Sequence, residues 1–288
     1  MSYGHRSLEY LKTLAEEETP PFWRNINLGL KPKILVDVDR VTKAAIERLV
    51  KDTWDPHLVG KGADAGGLTH SNLVVVQVQR IENPRLFTAY NDERKRLLNK
   101  LIIMGYTSAR PIENIPKSSG EVATTEYLDE ILKKDLFPEI NEHYLLHGTK
   151  FFRIGSIITQ GLDPKYTDSR AMFGKGVYTA EKSTKADQYA DEPEKRRPHK
   201  WRNKLILSRM LLGNVFLCSE NHKTLKDKDG PKLSGPPCIE CLEDRCICRS
   251  TQPRFDSVMG DRSWRFREFV VYNKNQIYPE YVITYKRA

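Results

Sequence analysis

The stretch from Tyr144 to Tyr189, YLLHGTKFFRIGSIITQGLDPKYTDSRAMFGKGVYTAEKSTKADQY, decides how the rest of the 288-residue chain is read. The apolar run Tyr144-Leu145-Leu146 ends on His147-Gly148-Thr149, a short strand that delivers a polar group at its tip. Residues 151–160 suit a helix stopped by Gly161, with Leu162 folding back as the apolar contact of a Schellman-type cap. A long glycine-containing loop follows, then the short strand Val177-Tyr178-Thr179-Ala180, then a helix for which Ser183 is the candidate N-cap. Together these residues form a cradle able to close around a planar, hydrogen-bonding ligand.

Upstream, residues 1–19 are polar and acid-rich and read as a flexible N-terminal lead. Val41, Ala45, Ile46, Leu49, Val50 and Trp54 recur at helical spacing, with Asp37 or Asp39 as N-cap. Gly60 to Gly67 is a glycine-rich loop without the strand and Lys-Ser/Thr of a phosphate-binding loop. Val74, Val76 and Val78 alternate along a strand over 73–81. Asn83-Pro84 then turns the chain into an amphipathic helix carrying Leu86, Phe87, Tyr90, Leu97, Leu98 and Leu101. A second helix is expected near 125–137, from Leu128, Ile131, Leu132 and Leu136. Downstream, 205–217 reads as one long strand buried on one face, 219–262 as a polar cysteine-rich loop, and 266–273 and 278–287 as closing strands. Strands gather around the cradle, helices precede it, and no strand–helix alternation appears. That predicts an α+β fold with mainly antiparallel pairing rather than a doubly wound parallel sheet.

No apolar run reaches membrane-span length and the N-terminus lacks a signal-peptide core, so an intracellular protein, nuclear or cytoplasmic, without a membrane partner is expected. The net charge is +9, and its densest cluster is Lys195, Arg196, Arg197, Lys200, Arg202 and Lys204. Such a cluster fits a nucleic-acid patch, but no aromatic interleaving supports one, and a solvated charged loop is the preferred reading. Oligomeric state is not legible. Four of five cysteines fall in one window, Cys238, Cys241, Cys246 and Cys248, unlike a secreted disulfide framework. Four thiolates suffice for a tetrahedral zinc, although the final Cys-x-Cys is tight; reduced surface cysteines are the alternative.

In order along the chain, LLHGT, FGKGVYTA and REFVVY set out a His, a Tyr and a Glu on three strands. This ordered set resembles the catalytic domain of the poly(ADP-ribose) polymerase family, the ADP-ribosyltransferases of diphtheria-toxin type. The ending YPEYVITYK is close to that of the tankyrases and the mono-ADP-ribosylating members, and VVVQVQRIENPRLFTAYNDERKR resembles the family's first strand and helix. The resemblance covers residues 20–288, the expected catalytic domain. It implies two packed, mainly antiparallel sheets around an NAD⁺ cleft with flanking helices. It also implies an NAD⁺-dependent transferase that breaks the nicotinamide–ribose bond and moves ADP-ribose to a protein acceptor. By the same resemblance Glu268, His147 and Tyr178 are catalytic. His147, Gly148, Thr149, Asp163, Arg170, Tyr178 and Tyr189 would contact NAD⁺, with Tyr166 a further donor-loop candidate.

Two departures follow. Ala186 stands where the family's last Ser-Lys-Ser serine would hold the nicotinamide amide, which implies weaker nicotinamide binding, and Thr179 replaces an aromatic. The RNA 2′-phosphotransferases also use His-Gly-Thr but leave Tyr178 and Glu268 unexplained. The arginine-specific transferases need an acidic residue where Phe266 stands. A non-catalytic NAD⁺ or ADP-ribose reader, or a zinc-supported interaction module, is the alternative from another class.

Overall fold

A computed structural model describes residues 7–15, 19–20, 22–23, 34–168, 171–191, 201–218, 235–240, 254–261 and 265–288. Its strands are β1 (Leu35–Asp37), β2 (Leu73–Ile81), β3 (Glu142–Gly148), β4 (Val177–Ala180), β5 (Asn203–Leu211), β6 (Val215–Cys218), β7 (Ser257–Gly260), β8 (Glu268–Val271) and β9 (Ile277–Arg287). They hydrogen-bond in the order β1-β2-β9-β5-β3-β4-β8-β7-β6. Every pairing is antiparallel except β6 with β7. Where two sheets were expected the ladder is continuous, yet β3 meets β4 through one residue pair, Leu146↔Ala180. By contrast β3 pairs with β5 along its whole length, from Glu142↔Leu211 to Gly148↔Leu205. The sheet is therefore hinged into two halves beside His147.

The central strands are buried on both faces because alternate residues feed different clusters. Leu146, Leu205, Leu207, Tyr281, Ile283 and Tyr285 pack one way, against helix α2 (Arg40–Asp52) and α7 (Ser183–Asp187). Leu145, Ile206, Met210, Ile277 and Val282 pack the other way, with Ile154 and Ile157 of α6 (Ile154–Gln160) and with β4 and β8. A third cluster joins Leu8 and Leu11 of α1 (Leu8–Leu14) to Phe87, Tyr90, Leu97 and Leu98 of α3 (Pro84–Ile103). Part of the expected flexible lead is thus a helix held down by burial.

Several local expectations change. In β2 a bulge between Val75 and Gln77 shifts the register. Val74 is consequently exposed while Val75 and Val78 pack inward, so the three valines do not share one face. The single helix expected over 125–137 is two short turns, α4 (Ala123–Glu126) and α5 (Glu130–Lys133). Asp129 separates them by accepting a hydrogen bond from Ile131 N and starting a fresh helix. The long strand expected over 205–217 breaks into β5 and β6, both of whose faces are largely buried. Gly213 adopts φ +55° at the break, where a Cβ would lie 2.6 Å from Asp256 Oδ2. Finally, the polar excursion 219–262 contains β7, which adds a strand beside β8 and extends the half-sheet that carries Glu268. Among the described residues no helix is long and apolar enough to cross a membrane.

Candidate active site

His147 leaves β3 where the two half-sheets part. Its Nδ1 lies 2.8 Å from the Tyr178 carbonyl oxygen on β4, so the side chain spans the gap that backbone pairing leaves open. A carbonyl only accepts, which places the proton on Nδ1 and makes Nε2 the acceptor. Burial holds the imidazole pKa below its usual value, and Arg153 lowers it further; together they outweigh the Tyr178 carbonyl, so the ring is neutral.

Gly148 follows with no side chain for a spatial reason. A Cβ there would lie 1.8 Å from the Ala186 carbonyl oxygen and 3.0 Å from Tyr189 Cβ. The strand therefore runs directly against α7, whose Lys185, Ala186 and following Tyr189 line the cleft. α7 is itself fixed from below. Asp187, fully buried, receives Arg287 Nε on both carboxylate oxygens (3.0 and 3.1 Å), takes the Tyr285 phenol, and faces His70 Nε2 at 3.1 Å. Arg287 also pairs with Asp191, locking the end of β9 to the helix segment that holds the tyrosine.

Ser183, expected to cap α7, turns away instead: its hydroxyl donates to Val50 O (2.7 Å), and Lys182 occupies the cap position. The Thr184 hydroxyl accepts from Asp55 N (2.7 Å), likewise away from the cleft. Neither hydroxyl replaces the one that Ala186 lacks.

Tyr178 presents its ring from β4. Its hydroxyl accepts from Phe173 N (2.7 Å) and donates to Gly174 O (3.0 Å), which ties the loop before β4 to the ring it borders. Burial first, then the Glu268 charge, raises the pKa of Tyr178; the same two causes, with Asp64, raise that of Tyr189, so both phenols stay protonated. Glu268 opens β8 opposite Ala180. It is set in place by Arg267, whose guanidinium donates to Gly120 O (2.8 Å) and Glu121 O (2.6 Å) and pairs with buried Glu181. The Glu268 carboxylate itself faces Lys185 Nζ at 3.3 Å.

His147, Gly148, Thr149, Asp163, Tyr166, Tyr178, Ala186, Tyr189 and Glu268 all line one cavity of about 1070 Å³. That is near the upper end of small-molecule clefts, roughly 300–1,000 Å³. Asp163 caps the turn Pro164–Tyr166 by accepting from Lys165 N (2.9 Å). Arg170 lies outside the described residues, as do Lys195, Arg196, Arg197 and Lys200 of the basic cluster. Of the cysteines, Cys238 is buried in an isolated bridge with Arg254, while Cys241, Cys246 and Cys248 lie outside the described residues. Among the described residues no group of three or more His, Cys, Asp or Glu is placed to hold a metal.

Sequence reasoning missed several charged groups on the cleft wall, among them Lys185 and Asp64. For Lys185 a signal existed: it stands four residues before Tyr189, the spacing that puts two side chains on one helical face. Asp64 carries none, because a loop residue far away in sequence reaches the site only through the tertiary fold.

Residues 63–287 match the family model of the poly(ADP-ribose) polymerase catalytic domain. The chain belongs to this family. Over 171 residues it is 26% identical to "Protein mono-ADP-ribosyltransferase PARP11" of Mus musculus, a match covering 54% of this chain and 46% of that protein. The Homo sapiens protein of the same name is equally similar, 26% identical, with 45% of its length covered. The chain thus spans about half the length of the curated relatives it matches. Within the matched range, His147, Tyr178 and Glu268 lie on β3, β4 and β8 and line one cleft.

Proposed function

We propose that this protein is an NAD⁺-dependent ADP-ribosyltransferase acting on protein side chains, with the half-sheets hinged at Leu146↔Ala180 as the two walls of its NAD⁺ cleft. One observation carries the reading: His147 and Tyr178, hydrogen-bonded across the hinge, share a cavity with Glu268. The residues fit the dinucleotide. Gly148, packed directly against the Ala186 carbonyl, lines the cavity with its backbone, beside the Tyr178 and Tyr189 rings, where a flat amide would meet main-chain groups.

When NAD⁺ is bound, the nicotinamide–ribose bond breaks with its electron pair passing to the pyridinium ring, and positive charge develops on the ribose. The Glu268 carboxylate supplies fixed negative charge for that moment and an acceptor for a ribose or incoming nucleophile proton. His147 offers Nε2 as acceptor to a ribose hydroxyl, because Nδ1 is already committed to Tyr178 O. The Tyr178 and Tyr189 rings hold the nicotinamide, each contact contributing about 1 kcal/mol.

Release of nicotinamide from NAD⁺, with ADP-ribose appearing on protein, tests the reading. Binding of NAD⁺ without any release would instead make the protein a reader. A glutamate at this position leaves single transfer and chain extension both open, and product length on a gel separates them. For the cysteine run we keep zinc as the candidate occupant on its sequence spacing alone, and elemental analysis of protein prepared without chelator decides it.

A further inference from the structure

The glycine-rich loop from Gly60 to Gly67 has no part in the scheme above, yet it places a second carboxylate in the cleft wall. Buried Ala65, the last residue of the turn Ala63–Ala65, and buried Leu68 just beyond it anchor the loop. Its start is tied to α7 through the Asp55 N–H bond to Thr184. Gly60 and Gly62 take φ +70° and +119°, and a Cβ on Gly60 would lie 2.7 Å from Leu68 O, so the loop has one tight path. Along it Asp64 arrives at the cleft. Its Oδ2 accepts a hydrogen bond from the Tyr189 phenol at 2.7 Å. The same oxygen lies 3.7 Å from Lys185 Nζ, which donates to the Tyr189 hydroxyl at 3.0 Å and faces Glu268 at 3.3 Å.

We propose that Asp64 is a positioning residue for the nicotinamide side of the cleft: it fixes the Tyr189 ring through the phenol and shares the Lys185 ammonium with Glu268. The inference rests on the NAD⁺ reading above and deepens it. Tyr189 is 40% exposed at the cleft mouth, so packing alone does not set its ring plane, and a hydrogen bond at the far end of the ring does. Lys185 left to Glu268 alone would neutralise the carboxylate on which the ribose charge depends. Asp64, half exposed, draws part of that ammonium away.

The test measures the nicotinamide Kd by calorimetry, and NAD⁺ KM and kcat, for wild type, Asp64→Ala, Asp64→Asn, Tyr189→Phe and the Asp64→Ala/Tyr189→Phe double variant. Asp64→Ala weakens nicotinamide binding about fivefold, the equivalent of one hydrogen bond. Tyr189→Phe does the same, the double variant is no worse than either single, and KM rises more than kcat falls. Asp64→Asn, which keeps an acceptor oxygen, restores nicotinamide affinity to within about twofold of wild type. Multiplicative losses of nicotinamide affinity in the double variant, wild-type affinity in Asp64→Ala, or an Asn as damaging as Ala to that affinity would each overturn the proposal. Wild type that binds nicotinamide in an Asp64-dependent way but releases none from NAD⁺ sinks the enzyme reading alone. Normal turnover with no role for Asp64 sinks this inference alone.

Discussion

Replacing Gly148 by alanine tests how closely β3 and α7 are fitted. Gly148 lies outside the left-handed region, so alanine suffers no backbone penalty there and only space opposes it. The new Cβ would lie 1.8 Å from Ala186 O, 2.8 Å from Ala186 C and 3.0 Å from Tyr189 Cβ. Carbon and oxygen need about 3.3 Å or more between them, so strand and helix must separate by roughly 1.5 Å. Neither yields easily, since β3 is paired with β5 throughout and α7 is pinned by Asp187 to Arg287. Overpacking of this kind costs about 1–3 kcal/mol. The larger effect falls on function, because a misplacement of about 1 Å can cost some 10²-fold in rate. Lys185 and Tyr189 ride on the displaced segment while Glu268 does not. Gly155→Ala is the control, since no atom lies within 4 Å of a Cβ there, and alanine in a helix should gain about 0.5–1 kcal/mol. Urea denaturation and NAD⁺ turnover of both variants decide the matter. A Gly148→Ala protein with wild-type stability and turnover would refute the contact on which the cleft geometry rests.

Other expectations follow from the same geometry. Burial holds His143 at a pKa of about 4, with its Nδ1 2.7 Å from Thr125 Oγ1. Because the folded value is depressed below 6.5, the unfolded chain takes up the proton first. The contribution is full above pH 6.5 and lost as pH falls towards about 4, some 3 kcal/mol in all. Stability curves of wild type and His143→Gln should diverge over that window, and parallel curves would contradict the assignment. Ala186→Ser should tighten nicotinamide about fivefold by restoring one hydrogen bond; equal affinity in calorimetry would show that the missing hydroxyl is immaterial. His147, whose pKa burial lowers, should give NAD⁺ binding an acid limb that lies below the ordinary imidazole value of 6.5. An acid limb in KM centred at 6.5 or above would show otherwise.

The strands that carry the three candidate site residues were legible because each is a short apolar run, with His147 one residue from the end of β3, Tyr178 second in β4 and Glu268 first in β8. Helices α2 and α3 were legible from periodicity, helped in α2 by the candidate cap Asp39 and before α3 by the turn at Asn83-Pro84, whose Asn83 proves to be the cap. What sequence periodicity hides is any local break within an apolar run. Val74 to Val78 looks like one alternating face until an extra residue bulges out. Leu128 to Leu136 fits one helix unless Asp129 is recognised as a cap rather than a surface position. Leu205 to Leu217 reads as one strand because the apolar run continues past Gly213, where the chain turns to meet Asp256. Electrostatics were hidden more deeply still. That Lys185 would sit between Glu268 and Asp64 depends on three elements meeting, and no spacing along the chain encodes it.

The central claim is that the Glu268 carboxylate, set at the head of β8 by the buried Arg267, stabilises charge on the ribose of NAD⁺. Nicotinamide release by wild type and Glu268→Gln, measured together with the nicotinamide Kd of each, tests it most directly. Turnover in Glu268→Gln should fall about 10²- to 10³-fold, with nicotinamide binding unchanged because the proposed amide and ring contacts are those of Gly148, Tyr178 and Tyr189. Wild-type turnover in Glu268→Gln would contradict the account.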